Sequence, residues 1–246
     1  MRYLIISDLH GNWEALEAVA RDAEGRFDVA LCCGDLVGYG ADPNPVVEWT
    51  RANCTAVVRG NHDRACTGME DLEWFNPVAR EAALWTQGNL TPGNADYIRS
   101  LPRGPILMKD FEVLHGSPAD EDEYVLAPNE AGQAFQYLER PVAFFGHTHV
   151  QGGFIWNRSR VETAHRPSPR NGREVLEIDP ACVYLVNPGS VGQPRDGDPR
   201  AAYALFDPDA GMLSLCRASY DVEKAQRRIH DAGLPPILAD RLLVGR

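Results

Sequence analysis

The chain opens with a short apolar run, Tyr3 to Ile6, followed by Asn12 to Ala23, in which Leu16, Val19, Ala20 and Ala23 recur at helical spacing. A buried strand, a loop and an amphipathic helix give that pattern. It returns as a strand at Val29 to Cys33, a helix at Val46 to Ala52 and a strand at Thr55 to Val58. Pro77 to Leu101 reads as mainly helical. Strands resume at Phe111 to Leu114 and Val142 to Phe145, with a helix from Pro128 to Leu138 between them. Alternation of this kind predicts right-handed crossovers and a parallel sheet covered on both faces. Beyond Gln151 the pattern changes to short runs at Phe154 to Trp156, Val175 to Ile178, Val183 to Val186, Ala202 to Phe206 and Met212 to Ala218. These predict a second, more antiparallel sheet. The tail from Asp221 predicts one or two closing helices. With no repeat, low-complexity tract or linker, residues 1–246 are expected to form a single two-sheet α/β domain.

Five of the strands run into small groups of Asp, His, Asn and Gly: Asp8-Leu9-His10, Gly34-Asp35, Gly60-Asn61-His62-Asp63, His115-Gly116 and Gly146-His147-Thr148-His149. In open α/β sheets the carboxyl ends of the strands converge on one crevice, so all five groups can meet. Buried carboxylates and imidazoles without partners repel one another and lose hydration, which demands a positive counter-charge. Metal ions supply it. In extended backbone the two side chains of Asp8-x-His10, and of His147-x-His149, would share a side and aim at one site or two adjacent ones. Oxygen and imidazole donors without thiolate suit Mn, Zn, Fe or Ni. The neighbouring glycines, Gly34, Gly60, Gly116 and Gly146, would allow close approach of the backbone to the ions.

Composition narrows the partners. Lys plus Arg is 24 against Asp plus Glu 35, a net charge of -11, which argues against long nucleic acid and anionic lipid as partners. A chain of 246 residues with 44% hydrophobic content buries a large core without disulfides. Its six cysteines form no C-x-x-C, and are expected to be reduced core residues. The first apolar run is too short for a signal peptide, and no span reads as a membrane helix. The expectation is therefore cytoplasmic.

The five groups, in that order, resemble the ordered motifs of the calcineurin-like metallophosphoesterases, most of all their compact bacterial and archaeal members. Asn187-Pro188-Gly189-Ser190 resembles a further turn of those members. The resemblance implies a four-layer α/β/β/α sandwich of two mixed sheets flanked by helices. It implies two divalent transition-metal ions, one held by Asp8, His10 and His149, the other by Asn61, His115 and His147, with Asp35 bridging. His62 would lie beside the ions and, as imidazolium, would stabilise phosphoryl oxygens or protonate the leaving alkoxide. Hydroxide held by the metals would attack phosphorus in line, with no covalent enzyme intermediate. The implied activity is hydrolysis of a small phosphate ester or nucleotide-type substrate, a diester in preference to a monoester. A monoesterase or protein phosphatase of the same fold, and a metal-free scaffold, are the alternatives.

Other residues carry two readings each. Asn12 is either the cap of the first helix or a group facing phosphate, and Asp63 either a helix cap or part of the site. Arg195, after the Asn187-Pro188-Gly189-Ser190 turn, is a candidate phosphate contact. Arg158, Arg160, Arg166, Arg170 and Arg173, opposed only by Glu162, form either a solvated hairpin tip or a basic drape over the crevice. Trp74, Phe75 and Trp85 either pack helices together or wall a nucleobase.

Overall fold

Three parallel strands, β1 (Tyr3–Ile6), β2 (Val29–Cys32) and β3 (Cys54–Val57), are joined by α1 (Trp13–Asp22) and α2 (Pro43–Asn53) in a computed structural model that describes residues 1–164 and 171–246, the Trp74 side chain excepted. Then come α3 (Asn61–Cys66), α4 (Pro77–Asn89), α5 (Pro92–Arg99), β4 (Ile106–Leu107), β5 (Glu112–Val113), α6 (Pro128–Ala134) and β6 (Val142–Phe144). The remainder is β7 (Gly152–Trp156), β8 (Val161–Thr163), β9 (Arg173–Glu177), β10 (Val183–Asn187), β11 (Ala201–Asp207), β12 (Met212–Ala218), α7 (Val222–Asp231) and α8 (Pro236–Val244). Periodicity locates β1 and α1 to within a residue; β4 and β8, two and three residues long, leave no pattern to read.

The later strands do not form a sheet of their own, which corrects the expectation above. One sheet has the order β3-β2-β1-β11-β12-β9 and the other β4-β5-β6-β10-β7-β8, so each draws strands from both halves of the chain. Burial explains the distribution. Every residue of β10 is buried, and such a strand needs neighbours on both edges; it lies between β6, parallel, and β7, antiparallel. The open edge of β1 is closed by β11, with Leu4 opposite Leu205 and Ile5 opposite Ala204.

Because side chains alternate along a strand, β1 serves two layers. Ile5 faces the other sheet in a core with Leu31, Val58, Phe111, Phe144, Val186 and Phe206. Leu4 and Ile6 face outward onto Leu16, Val19 and Val46 of α1 and α2. On the far side, Phe145 and Leu185 pack against Ala131, Ala134 and Phe135 at α6. The result is a four-layer α/β/β/α sandwich of two mixed sheets flanked by helices. No helix among the described residues is long and apolar enough to cross a membrane.

A polar lock joins the two sheets beneath the crevice. The Gln151 amide, just before β7, donates to the carbonyls of Pro188 (3.0 Å), Tyr203 (3.1 Å) and Cys216 (3.0 Å), the last two in the opposite sheet. Its oxygen accepts from Arg217 Nε (2.8 Å), and Arg217 pairs with Asp196 at almost complete burial. Removing one partner of a buried pair leaves the other charge uncompensated, at a cost of about 3–5 kcal/mol. Arg217→Met is expected to lower unfolding free energy by about that amount in urea denaturation, with an unchanged slope.

Candidate metal centre

The carboxyl ends of β1, β2 and β3 in one sheet, and of β5 and β6 in the other, bring all five motif loops together. Backbone bonds knit them: Asp8 N–H donates to Gly34 O (2.9 Å), His10 N–H to Asp35 O (3.0 Å) and Gly146 N–H to His115 O (2.8 Å). Carboxylates complete the weave. Asp35 Oδ1 accepts from His62 N–H (2.9 Å) and Asp8 Oδ1 from His147 N–H (3.0 Å). Asp63 accepts from Gly60 N–H (3.0 Å) and Leu36 N–H (2.9 Å), so it both caps α3 and ties the second loop to the third.

The backbone carrying the donors is not extended, contrary to the expectation for Asp8-x-His10 and His147-x-His149. Asp8, His10, Asp35, His147 and His149 all have left-handed φ, from 46° to 65°. Such conformations cost on the order of 1 kcal/mol or more each for residues with a side chain, and persist where surrounding bonds over-determine them. The two spacings also divide differently. Asp8, His10, Asp35 and His149 offer atoms within 4.8 Å of one another, and Asp35, His115 and His147 form a second such group. Asp8-x-His10 thus serves one group, whereas His147 and His149 serve different ones. Asp35 belongs to both. Asn61 Oδ1 lies 3.4 Å from His115 Nε2, beside the second group.

Gly34, Gly60 and Gly146 leave room for side chains of the site, and Gly116 for the backbone of Glu121. A Cβ on Gly60 would lie 2.1 Å from Asp35 Oδ1 and 2.7 Å from Asp35 N, and one on Gly146 2.1 Å from Ser7 Oγ.

Hydrogen bonds fix which ring nitrogens are free. Nδ1 of His10, His149 and His115 faces the carbonyls of Val37 (3.1 Å), Gln193 (2.6 Å) and Cys33 (2.7 Å). A carbonyl only accepts, so each Nδ1 carries hydrogen, and in the neutral rings of His10 and His149 Nε2 is left as a lone pair. Those two Nε2 atoms lie 3.0 Å apart, lone pair against lone pair. His147 is reversed: its Nε2 donates to Asp122 O (3.1 Å), which frees Nδ1. Among the described residues Asp8 Oδ2 and Asp35 Oδ2 are buried without a hydrogen-bond partner, and Asp35 Oδ2 stands 3.6 Å from His10 Nε2 and 3.5 Å from His115 Nε2. The lone pairs of His10 Nε2, His149 Nε2 and Asp8 Oδ2, converging with no donor among the described residues, are the surroundings a divalent transition-metal ion fits.

The titration pattern reflects the same crowding. Burial, with Asp35 adding to it, pushes Asp8 up to about 7. Burial would raise Asp35 too, but His115, His62 and His10 hold it well below the usual carboxylate range. Burial opposes charge on His115, yet Asp35 and Asp8 outweigh it and bring the ring to about 9. Desolvation takes His147 to about 3, and His10 and His149 well below their ordinary value. His62 also falls, to about 4, through burial against the pull of Asp35. In the chain alone burial thus favours the neutral ring, and cations nearby would disfavour the charged form further.

The remaining candidates are placed as follows. Asn12 caps α1, Oδ1 accepting from Ala15 N–H (3.1 Å), while its Nδ2 donates to Gly192 O (2.9 Å), so its amide is occupied within the protein. Arg195 stands at the crevice, its guanidinium over the Tyr39 ring (5.8 Å) and Nη2 donating to Gln193 Oε1 (3.2 Å). Arg158 lies over Trp156, Arg160 pairs with Glu162 and Arg173 donates to Ser214, all away from the metal groups; Arg166 and Arg170 fall outside the described residues. Phe75 meets His62 edge to face (5.3 Å), whereas Trp85 packs among the helices.

Two tyrosines escaped the sequence reading. Tyr39 packs against His10 (4.7 Å) and His62 (4.4 Å), and Tyr124 stacks on His147 (3.9 Å). Tyr39 sits within Gly38-Tyr39-Gly40, a hint of unusual backbone confirmed by its φ of 63°. Nothing local marks Tyr124.

Fold and site together define a protein whose His and Asp clusters, where two mixed sheets meet, could hold metal. Residues 1–211 match the model of the calcineurin-like phosphoesterase superfamily domain, and the chain belongs to that family. It is 41% identical to a metallophosphoesterase from Sphaerobacter thermophilus, whose crystal structure superposes with a TM-score of 0.88 over 100% of this chain and 99% of that one. An uncharacterised protein of Methanocaldococcus jannaschii is 38% identical over 98% of this chain and 97% of its own. A hypothetical protein from Pyrococcus horikoshii, at 18% identity and a TM-score of 0.80 over 100% and 98% of the two chains, shares the fold.

In chelator-treated protein His115 is the one histidine of the centre that titrates between pH 6.5 and 9 in the folded chain. The other histidines of the centre, all lowered, are neutral in both folded and unfolded chains above 6.5, whereas His115, raised to about 9, keeps its proton only when folded. Stability from that proton is complete below 6.5 and is lost as pH rises through about 9. Asp8 and Asp63, both raised to about 7, act in the same direction. Urea denaturation is expected to show a fall of about 1 kcal/mol per pH unit, and a flat or rising profile would contradict it.

Proposed function

We propose that this chain is a two-cation phosphodiesterase. Family membership and the donor groups make it a metal-dependent phosphoesterase in class; the cation count, the residue roles and the diester preference are the further steps. The observation that carries them is Asp35 Oδ2, buried, lacking a donor and lying between two imidazole nitrogens of different groups. A carboxylate oxygen so placed suits one residue shared by two cations. Asp8, His10 and His149 would complete the first position and Asn61, His115 and His147 the second, with Mn, Zn, Fe or Ni as the matching ions. Bound there, a cation pair supplies charge that polarises a phosphoryl group and activates water.

The chain's own residues do the rest. His62, neutral and held against His10, Tyr39 and Phe75, offers a ring N–H to a phosphoryl oxygen without bringing a second negative or positive charge. Arg195 supplies a guanidinium braced by Tyr39 and Gln193. One fixed cationic side chain matches the single negative charge of a diester better than the two of a monoester. Asp35, fastened through Oδ1 to His62 N–H, couples the donor groups to that substrate side.

Asp35→Asn, folded by circular dichroism, is expected to lose metal uptake together with about 100-fold or more of hydrolysis of bis(p-nitrophenyl) phosphate. The wild type, stripped and reloaded with Mn, should show the larger kcat/KM on that diester than on p-nitrophenyl phosphate. Full activity in Asp35→Asn would end the shared-ligand role, and a monoester preference would move the assignment to a monoesterase.

A further inference from the structure

The loop that follows His115 is fastened by three arginines. Arg59 forks onto Glu121 (3.0 and 2.9 Å), Arg103 donates to Ala119 O (2.9 Å), and Arg64 Nη2 contacts both oxygens of Asp122 (2.8 and 2.7 Å). Arg64 also pairs with Glu70 (2.8 Å) and is only 8% exposed. On its other side the same loop grips His147, through the Asp122 carbonyl on Nε2 (3.1 Å) and the Tyr124 ring on its face. Arg64 lies on α3, three residues after Asn61, and His115 begins the loop. One guanidinium therefore ties together the segments that carry Asn61, His115 and His147. The rings of the first group are held otherwise, His10 on Val37 and His149 on Gln193, and the Asp8 backbone carbonyl on Ser190 and Gly192; Asp8 Oδ1 meets His147 only at its backbone N–H, not at the ring that Asp122 orients.

We infer that Arg64 is a positioning residue for the second cation position, acting through Asp122 and His147 and leaving the first position unaffected. This rests on the two-cation reading above. The physical reason is tautomeric as well as geometric. A carbonyl held against Nε2 keeps hydrogen there and leaves the Nδ1 lone pair for the cation; a loosened loop frees the ring to rotate and to exchange tautomers.

The test is Mn binding to chelator-stripped protein by equilibrium dialysis, which requires no turnover. Wild type should take up two ions; fewer would overturn the two-cation reading and this inference with it. Arg64→Met is expected to weaken one of the two by about 10–100-fold and to leave the other unchanged. Single-position backgrounds identify which one. With His149→Ala removing the first position, Arg64→Met should lower the remaining affinity by the same factor; with His115→Ala removing the second, it should change nothing. Arg64→Lys, which retains charge but cannot reach Glu70, Glu121 and Asp122 together, should fall between, and Asp122→Asn should weaken the same position. Should Arg64→Met fail to fold, these two variants decide the matter. Equal losses at both positions, or none at either, would overturn the assignment.

Discussion

The structure turns on the crowding of unshared electron pairs around Asp35. A buried carboxylate oxygen with no hydrogen bond at normal distance, beside the lone pair of His10 and balanced only by the protonated His115 ring 3.5 Å away, is unfavourable by itself. It persists because loops on every side fix it. Left-handed backbone at five donor residues stores further strain in the same few turns. Repulsion and strain at one place, offset by an ordinary hydrophobic sandwich elsewhere, are what a preformed cation site costs the apo chain.

Two sheets are needed to build that crowding. Asp8, His10 and Asp35 come from one sheet and His115, His147 and His149 from the other, so the separation of donors is set by the core between the layers. There Phe111 meets Phe144 and Phe206 edge to face, at 5.6 and 5.5 Å between centroids. Close-packed aromatic contacts leave little room for one sheet to slide over the other. The Gln151–Arg217–Asp196 lock adds direction to that packing, since hydrogen bonds between the sheets specify an alignment that apolar contacts alone do not. A change in either would reach the metal groups without touching a ligand.

The chain shows its parallel halves and donor motifs plainly, because a strand buried on both faces must be continuously apolar and must stop where polar ligands begin. Tyr3 to Ile6 before Asp8, and Val142 to Phe144 before His147, are cases in point. Sheet assignment was less legible. Alternation along Ala202 to Phe206 speaks of a strand but not of its partner, and the partner is chosen by the open edge of β1, nearly two hundred residues away. The donor backbone was misread for a related reason: spacing alone cannot separate extended from left-handed turns when the deciding hydrogen bonds come from other loops. Tyr124 and Asp122 were invisible because their roles arise from where a loop lands, and the carbonyl that orients His147 belongs to the backbone, which every residue type provides.

Electrostatic balance around the crevice follows from that same loop. With a net charge of -11, the protein as a whole repels anions, and Glu121 and Asp122 stand close to the second donor group. Left free, those carboxylates would oppose a phosphate at the place where it must enter. They are not free: Arg59 and Arg64 neutralise them within the loop, at contact distances where pairing is strongest. Arg195, by contrast, meets neutral partners among the described residues, including Tyr39 and Gln193, and keeps its charge available to the crevice. The acidic loop would thus act as scaffold while the Arg195 guanidinium sets the local field, which is how an acidic protein would accommodate the anionic substrate proposed above.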